Sequence, residues 1–123
     1  MICEDDVLFT EDAVQRAIEI NKRLDKTYYD LFHLGHMPRK KATNMGQGLV
    51  QLKGSLMCHC YVINSRIFDD MIYHLKKMDK PLDQITMDSF HPHGRSYSVE
   101  PAIATQKPDY SNIAEKEVNY NIK

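Results

Sequence analysis

Ile67, Phe68, Met71, Ile72, Leu75 and Met78 recur at three- and four-residue spacing, and Pro81 stops the run. This stripe predicts an amphipathic helix, capped by Asn64 or Ser65, that must lay one face on a core built elsewhere in the chain. The elements available for that core are short. Tyr28, Tyr29, Leu31, Phe32 and Leu34, closed by Gly35, read as one strand; 49–52 and 57–63 read as two more; Tyr97, Val99 and Ile103 sit in a last extended stretch. A second amphipathic helix of about four turns is expected after Thr10, its N-cap, on Ala13, Val14, Ala17, Ile18 and Leu24. Strands thus alternate with helices, which predicts an α/β fold. No linker or repeat divides the 123 residues, so residues 1–123 form a single domain.

Composition narrows the function classes. Sixteen Lys and Arg against seventeen Asp and Glu leave a net charge of -1, which gives no electrostatic footprint for nucleic acid or an anionic membrane. No run approaches the roughly 20 apolar residues of a membrane span, and the acidic start lacks the basic and apolar regions of a secretory signal. Cys58 and Cys60, two apart on one strand, are badly placed to bond each other, and three cysteines are an odd number. A reducing, cytoplasmic location is therefore expected.

The chemistry-bearing residues are sparse. Glu4, Asp5 and Asp6 interrupt an apolar run between Met1, Ile2, Cys3 and Val7, Leu8, Phe9. Acids at the end of a buried strand present oxygen ligands of the kind that Mg2+ or Mn2+ prefers, and a bound cation offsets their mutual repulsion. The plainer reading is a charged strand end followed by helix-favouring acids. Asp83 reads either as the N-cap of a short helix over 83–90 or as a general base. Cys58, His59 and Cys60 lack a second ligand pair at zinc spacing, so the cysteines read as small apolar residues. His91 and His93, on either side of Pro92, read as surface histidines. The loop 36–48 reads as mobile, with Arg39, Lys40 and Lys41 as solvated charge, and the polar tail 109–123 is expected to order only under cover.

The order of segments carries a resemblance. EDDVLF, YYDLFHLG, KGSLMCHCYVINSRIFDDMI, KPLD and YSVEPAIATQKPDYSNI, covering Glu4 to Ile113, together resemble the carboxyl-terminal half of glycosyltransferase family 25. That family includes lipooligosaccharide and procollagen galactosyltransferases. The resemblance implies the carboxyl-terminal part of a GT-A type fold, a mixed sheet with flanking helices. It implies inverting transfer of a sugar, galactose above all, from a UDP-sugar donor to a hydroxyl of a glycan or glycosylated protein. By match, Glu4, Asp5 and Asp6 would hold Mn2+ or Mg2+ against the diphosphate, and Asp83 of KPLD would act as base. His59 and Tyr61 would line the acceptor side, and Gln106 and Ser111 match substrate-contacting positions of the closing segment. Asn112 departs from the family, which more often carries Asp there.

The resemblance also implies a first half that builds the nucleotide-binding strands and has no counterpart before Glu4. The chain is therefore expected to be a fragment, a split gene or a decayed copy, with an exposed sheet edge at EDDVLF open to a complementing chain or a second copy. Two other readings stand beside the transferase. One is a catalytically inactive remnant or accessory module; the other is a structural metal-binding protein.

Overall fold

The computed structural model describes residues 1–77, 79–107, 109–111 and 116–118. In chain order these form β1 (Ile2–Cys3), β2 (Val7–Phe9), α1 (Ala13–Leu24), β3 (Leu31–His33), β4 (Met37–Pro38), β5 (Thr43–Asn44), β6 (Leu49–Gln51), β7 (Ser55–Leu56) and β8 (Cys60–Ile63). A 3-10 turn, Ser65–Ile67, leads into α2 (Phe68–Lys77), followed by α3 (Leu82–Ser89), a second 3-10 turn at His91–His93, β9 (Ser96–Val99), β10 (Ala104–Gln106), β11 (Asp109–Ser111) and β12 (Lys116–Val118). One six-stranded sheet runs β1-β8-β3-β9-β6-β5. Its central pair, β3 with β9, is parallel and every other pairing is antiparallel. Three two-stranded ladders, β2/β10, β4/β7 and β11/β12, sit beside it. The domain is therefore α/β with a mixed sheet and flanking helices.

The alternation of a pleated strand assigns the two faces. On β3, Phe32 joins a core with Ile20 and Leu24 of α1, together with Leu49, Val99 and Ile103. Its neighbour Leu31 faces the other way, into a second core with Tyr61, Ile67, Met71, Ile85 and Phe90, beneath α2 and α3. A strand covered on both faces carries no polar alternation, and Leu31, Phe32 and His33 are all buried.

Three sequence expectations are corrected at this level. In α1 the N-cap is Asp12, to whose Oδ1 the Thr10 hydroxyl donates at 2.8 Å, and the helix runs twelve residues, a little over three turns. Its buried positions are Ala13, Ile20 and Leu24, whereas Val14 and Ile18 are 75% and 54% exposed. In the second stripe only Ile67 and Met71 are buried; Phe68, Ile72 and Leu75 are exposed, and Met78 lies outside the described residues. The buried line is the narrow one through Ile67 and Met71, four residues apart, which packs on Leu31 and Ile85; Phe68, Ile72 and Leu75 lie on the neighbouring line of the helix, which the core does not cover. Asn64 caps the 3-10 turn at Ser65–Ile67 as expected, its side chain accepting from the Arg66 N–H at 3.0 Å. Lastly, 36–48 is shaped by the short strands β4 and β5 and by Arg23, which donates to the carbonyls of Met45 and Gly46. Arg39, Lys40 and Lys41 are exposed, as solvated charge should be.

Asp30, fully buried just ahead of β3, ties that strand to the 3-10 turn before α2 and to the segment that leads into β9. Its carboxylate accepts from Arg66 at 2.8 Å and from Arg95 at 3.0 Å. Among the described residues no helix is long and apolar enough to cross a membrane.

Candidate functional site

The acidic triplet lies where two ladders meet. β1 pairs with β8, Ile2 opposite Tyr61 and Cys3 opposite Cys60, and the ladder continues one step as the Glu4 N–H donates to the His59 carbonyl at 2.8 Å. The chain then turns through Asp5 and Asp6 and leaves as β2, which pairs with β10 so that Val7 faces Gln106. The acids are thus a connecting turn rather than the end of a buried strand. Ile2, Leu8 and Phe9 are each about half exposed, at 50%, 49% and 54%: β1 is the edge of the main sheet, and β2 lies in a ladder of only two strands.

That register brings Gln106 to the acids from 100 residues away. Its Nε2 donates to Glu4 Oε2 at 2.8 Å and lies 3.5 Å from Asp6 Oδ1, while the Lys107 N–H donates to the Asp6 carbonyl at 2.9 Å. The Glu4 carboxyl is held above its ordinary pKa by partial desolvation first, then by repulsion from Asp6, Asp83 and Asp5; the Gln106 bond acts in the opposite sense. Asp83 thus belongs to the same acidic neighbourhood.

Asp83 is not an N-cap. It sits in the first turn of α3, whose N-cap is Pro81, and there the helix dipole favours its charge. The Met57 N–H points at Asp83 Oδ2 from 3.5 Å. Met57 holds a left-handed backbone, φ +81°, a conformation that is costly for a residue with a side chain and that aims this N–H toward the acid. Nothing in the residue type signals it.

The wall of the site is buried. Burial pushes the Cys58 thiol up to about 12, and its sulfur lies 3.5 Å from the Thr86 hydroxyl. The Tyr61 phenol is also raised, by burial first and then by Cys58 and Glu4. His59 Nε2 donates to the Ala104 carbonyl at 2.8 Å; burial lowers its pKa despite the pull of Asp6, and its Nδ1 has no partner. Cys58 and Cys60 do not share a face. The strand begins only at Cys60, and the two fall in the cores on opposite sides of the sheet. Cys60 is bonded instead to Cys3, and Cys58 is free.

The structure therefore gathers Glu4, Asp5, Asp6, His59, Tyr61, Asp83 and Gln106 into one region. Ser111 ends β11 opposite Lys116, its side chain outside the described part, and Asn112 and Ile113 lie outside the described residues. Among the described residues no three His, Cys, Asp or Glu side chains are grouped closely enough to hold a metal ion. The donor chemistry nonetheless suits a hard cation. Glu4 and Asp6 carry no Lys or Arg partner among the described residues, and the Oε1 of Gln106 is buried without one.

A second polar group was not legible in the sequence. His33, His36 and His91 are all buried, which corrects the surface reading of His91; His93 is exposed as expected. His91 Nδ1 accepts from the Ser55 N–H at 3.1 Å, and His91 Nε2 meets His33 Nε2 at 3.2 Å. His36 spans the Ser55 hydroxyl, 2.9 Å, and Glu100, 2.8 Å. Burial holds His33 well below its ordinary pKa and brings His91 to about 4.

The fold and site define a mixed α/β domain with an acidic turn at its sheet edge. No family model, no curated protein and no solved structure matches the chain.

Proposed function

We propose that the chain is the carboxyl-terminal part of a GT-A type, metal-assisted, inverting glycosyltransferase that uses a UDP-sugar donor, with galactose the sugar and a glycan or glycosylated protein hydroxyl the acceptor. The observation that supports it is the convergence of Glu4, Asp6, Asp83 and Gln106, residues named for this chemistry from segments far apart in the chain. Glu4 and Asp6, with Asp5 beside them, would hold Mn2+ or Mg2+, and Gln106, whose Nε2 donates to Glu4, would orient that carboxylate. A cation held there supplies positive charge to a departing nucleotide diphosphate. Asp83, in the first turn of α3 with the Met57 N–H directed at it, would be the group that takes a proton from an acceptor hydroxyl. Tyr61 and His59 form the floor on the acceptor side. Ser111 stays a candidate contact on the tail. The reading carries a cytoplasmic location with it, and the β1 edge is where a complementing chain or second copy would add.

Titration calorimetry with Mn2+ and UDP tests the donor site, and hydrolysis of UDP-galactose tests turnover. Asp6→Asn should remove metal-dependent UDP binding, whereas Asp83→Asn should spare binding and lower turnover. Equal loss of binding in both would remove Asp83 from the base role. A second reading, an inactive remnant or accessory module, draws on the lack of a three-ligand metal group among the described residues. It predicts no Mn2+-dependent UDP binding at all.

A further inference from the structure

β1 is two residues long, it is the outermost strand of the main sheet, and the residue after it is Glu4. Its hold on β8 consists of the Ile2–Tyr61 and Cys3–Cys60 pairings, the Glu4 N–H bond to the His59 carbonyl one step further on, and the bond between Cys3 and Cys60, whose Cα atoms are 4.1 Å apart. The two cysteines differ in setting: Cys3 belongs to an exposed stretch, while Cys60 is fully buried in the α1-side core. The third cysteine, Cys58, is buried on the opposite face, with a thiol pushed up to about 12 that leaves almost no thiolate to attack the bond. The pair is therefore insulated from internal exchange.

We propose that Cys3–Cys60 is a reversible thiol–disulfide clamp that fixes the Glu4–Asp6 turn against β8 when oxidised and releases it when reduced. It regulates the acidic site of the preceding section, and that role rests on the transferase reading; the clamp itself does not. Opening starts with a thiolate attacking the Cys3 sulfur, forming a mixed disulfide and expelling the Cys60 sulfur, which takes up a proton. The leaving sulfur is buried in an apolar core, which disfavours its anion and makes it a poor leaving group, so the first exchange is slow and leaves a mixed disulfide on Cys3. A dithiol completes the step. Its second thiol attacks its own sulfur in the mixed disulfide, closes to a cyclic disulfide and frees Cys3 as a thiol. Two electrons and two protons pass from dithiol to protein. A disulfide in a reducing compartment is expected to be of this transient kind.

The test uses the full chain and needs no nucleotide. After incubation with oxidised glutathione, alkylation in denaturant should modify one cysteine, Cys58; after a dithiol it should modify three. Amide exchange over residues 2–9 should be at least about tenfold faster in the reduced chain, and Cys3→Ser should match that faster exchange with or without dithiol. Cys58→Ala should keep the dithiol response. Three alkylated cysteines after the oxidant, or equal exchange in both states, would overturn the clamp. Metal and UDP titrations of the two forms are read separately: a chain that binds neither but keeps the thiol counts and exchange difference refutes the transferase reading and leaves the clamp standing.

Discussion

Replacing His91 with Asn isolates a pH dependence built into the core. The Ser55 N–H donates to His91 Nδ1, so that nitrogen must stay unprotonated, and the neutral ring carries its hydrogen on Nε2, where it donates to His33. Protonating Nδ1 would set one N–H against another. Burial is the main cause that lowers the His91 pKa from 6.5 to about 4, with repulsion from His36 second. A basic group whose pKa is depressed by folding lets the unfolded chain bind more protons, so stability is lost as pH falls from about 6.5 toward about 4. At about 1.36 kcal/mol per pH unit the full loss is about 3.4 kcal/mol, of which about 2 kcal/mol is gone by pH 5. His33 adds to the loss in the same direction. Asn supplies Oδ1 as acceptor for the Ser55 N–H but cannot titrate. Urea unfolding at pH 7.5 and pH 5.0, followed by circular dichroism, should show the variant less stable at pH 7.5 by about 1–3 kcal/mol, since His33 loses its donor. The variant should then lose about 2 kcal/mol less than the parent on acidification. An identical loss in both proteins would refute the assignment of His91 as a neutral acceptor.

Asp30→Asn should cost about 1.5–3 kcal/mol, because a buried carboxylate that accepts from both Arg66 and Arg95 becomes an amide; the same urea titration reads it. Ile85→Ala empties a site only 2% exposed beneath α3 and should cost about 2–5 kcal/mol, with α3 showing the largest rise in amide exchange. Gly48→Ala should cost about 1–3 kcal/mol, since φ is +82° and the added Cβ would lie 3.0 Å from the Glu100 carbonyl oxygen; a thermal melt unchanged by this substitution would contradict that geometry.

What the sequence made legible was local. The Asn64 cap, the break at Pro81 and the strand over Leu31 and Phe32 follow from residue type and spacing, and all are present. Buried faces were less legible. Val14 and Ile18 fit a helical stripe as well as Ile20 does, and only the sheet beneath α1 decides which is covered. The candidate site was named residue by residue through the resemblance, yet its geometry depends on the register of β2 with β10, which no local pattern encodes. The Cys3–Cys60 contact arises in the same way, from the pairing of β1 with β8. Four buried histidines in one small domain were unreadable because burial of a histidine depends on partners supplied by Ser55, Glu100 and a backbone carbonyl, three distant points in the chain.

The parallel pairing of β3 with β9 governs the order in which the molecule can be assembled. Both neighbours of β3 come later in the chain: β8 begins at Cys60 and β9 at Ser96. A nascent chain released as far as α2 can form the β3–β8 hairpin and cover one side of Leu31, but Phe32 keeps an open flank until Val99 has cleared the ribosome. Closing the 65-residue separation between Leu31 and Ser96 is then the entropically costly step, and it waits for both helices that lie between the two strands, α2 and α3. Until β9 emerges, the half-made domain therefore leaves one edge of its central strand unpaired, a window in which a chaperone has something to hold.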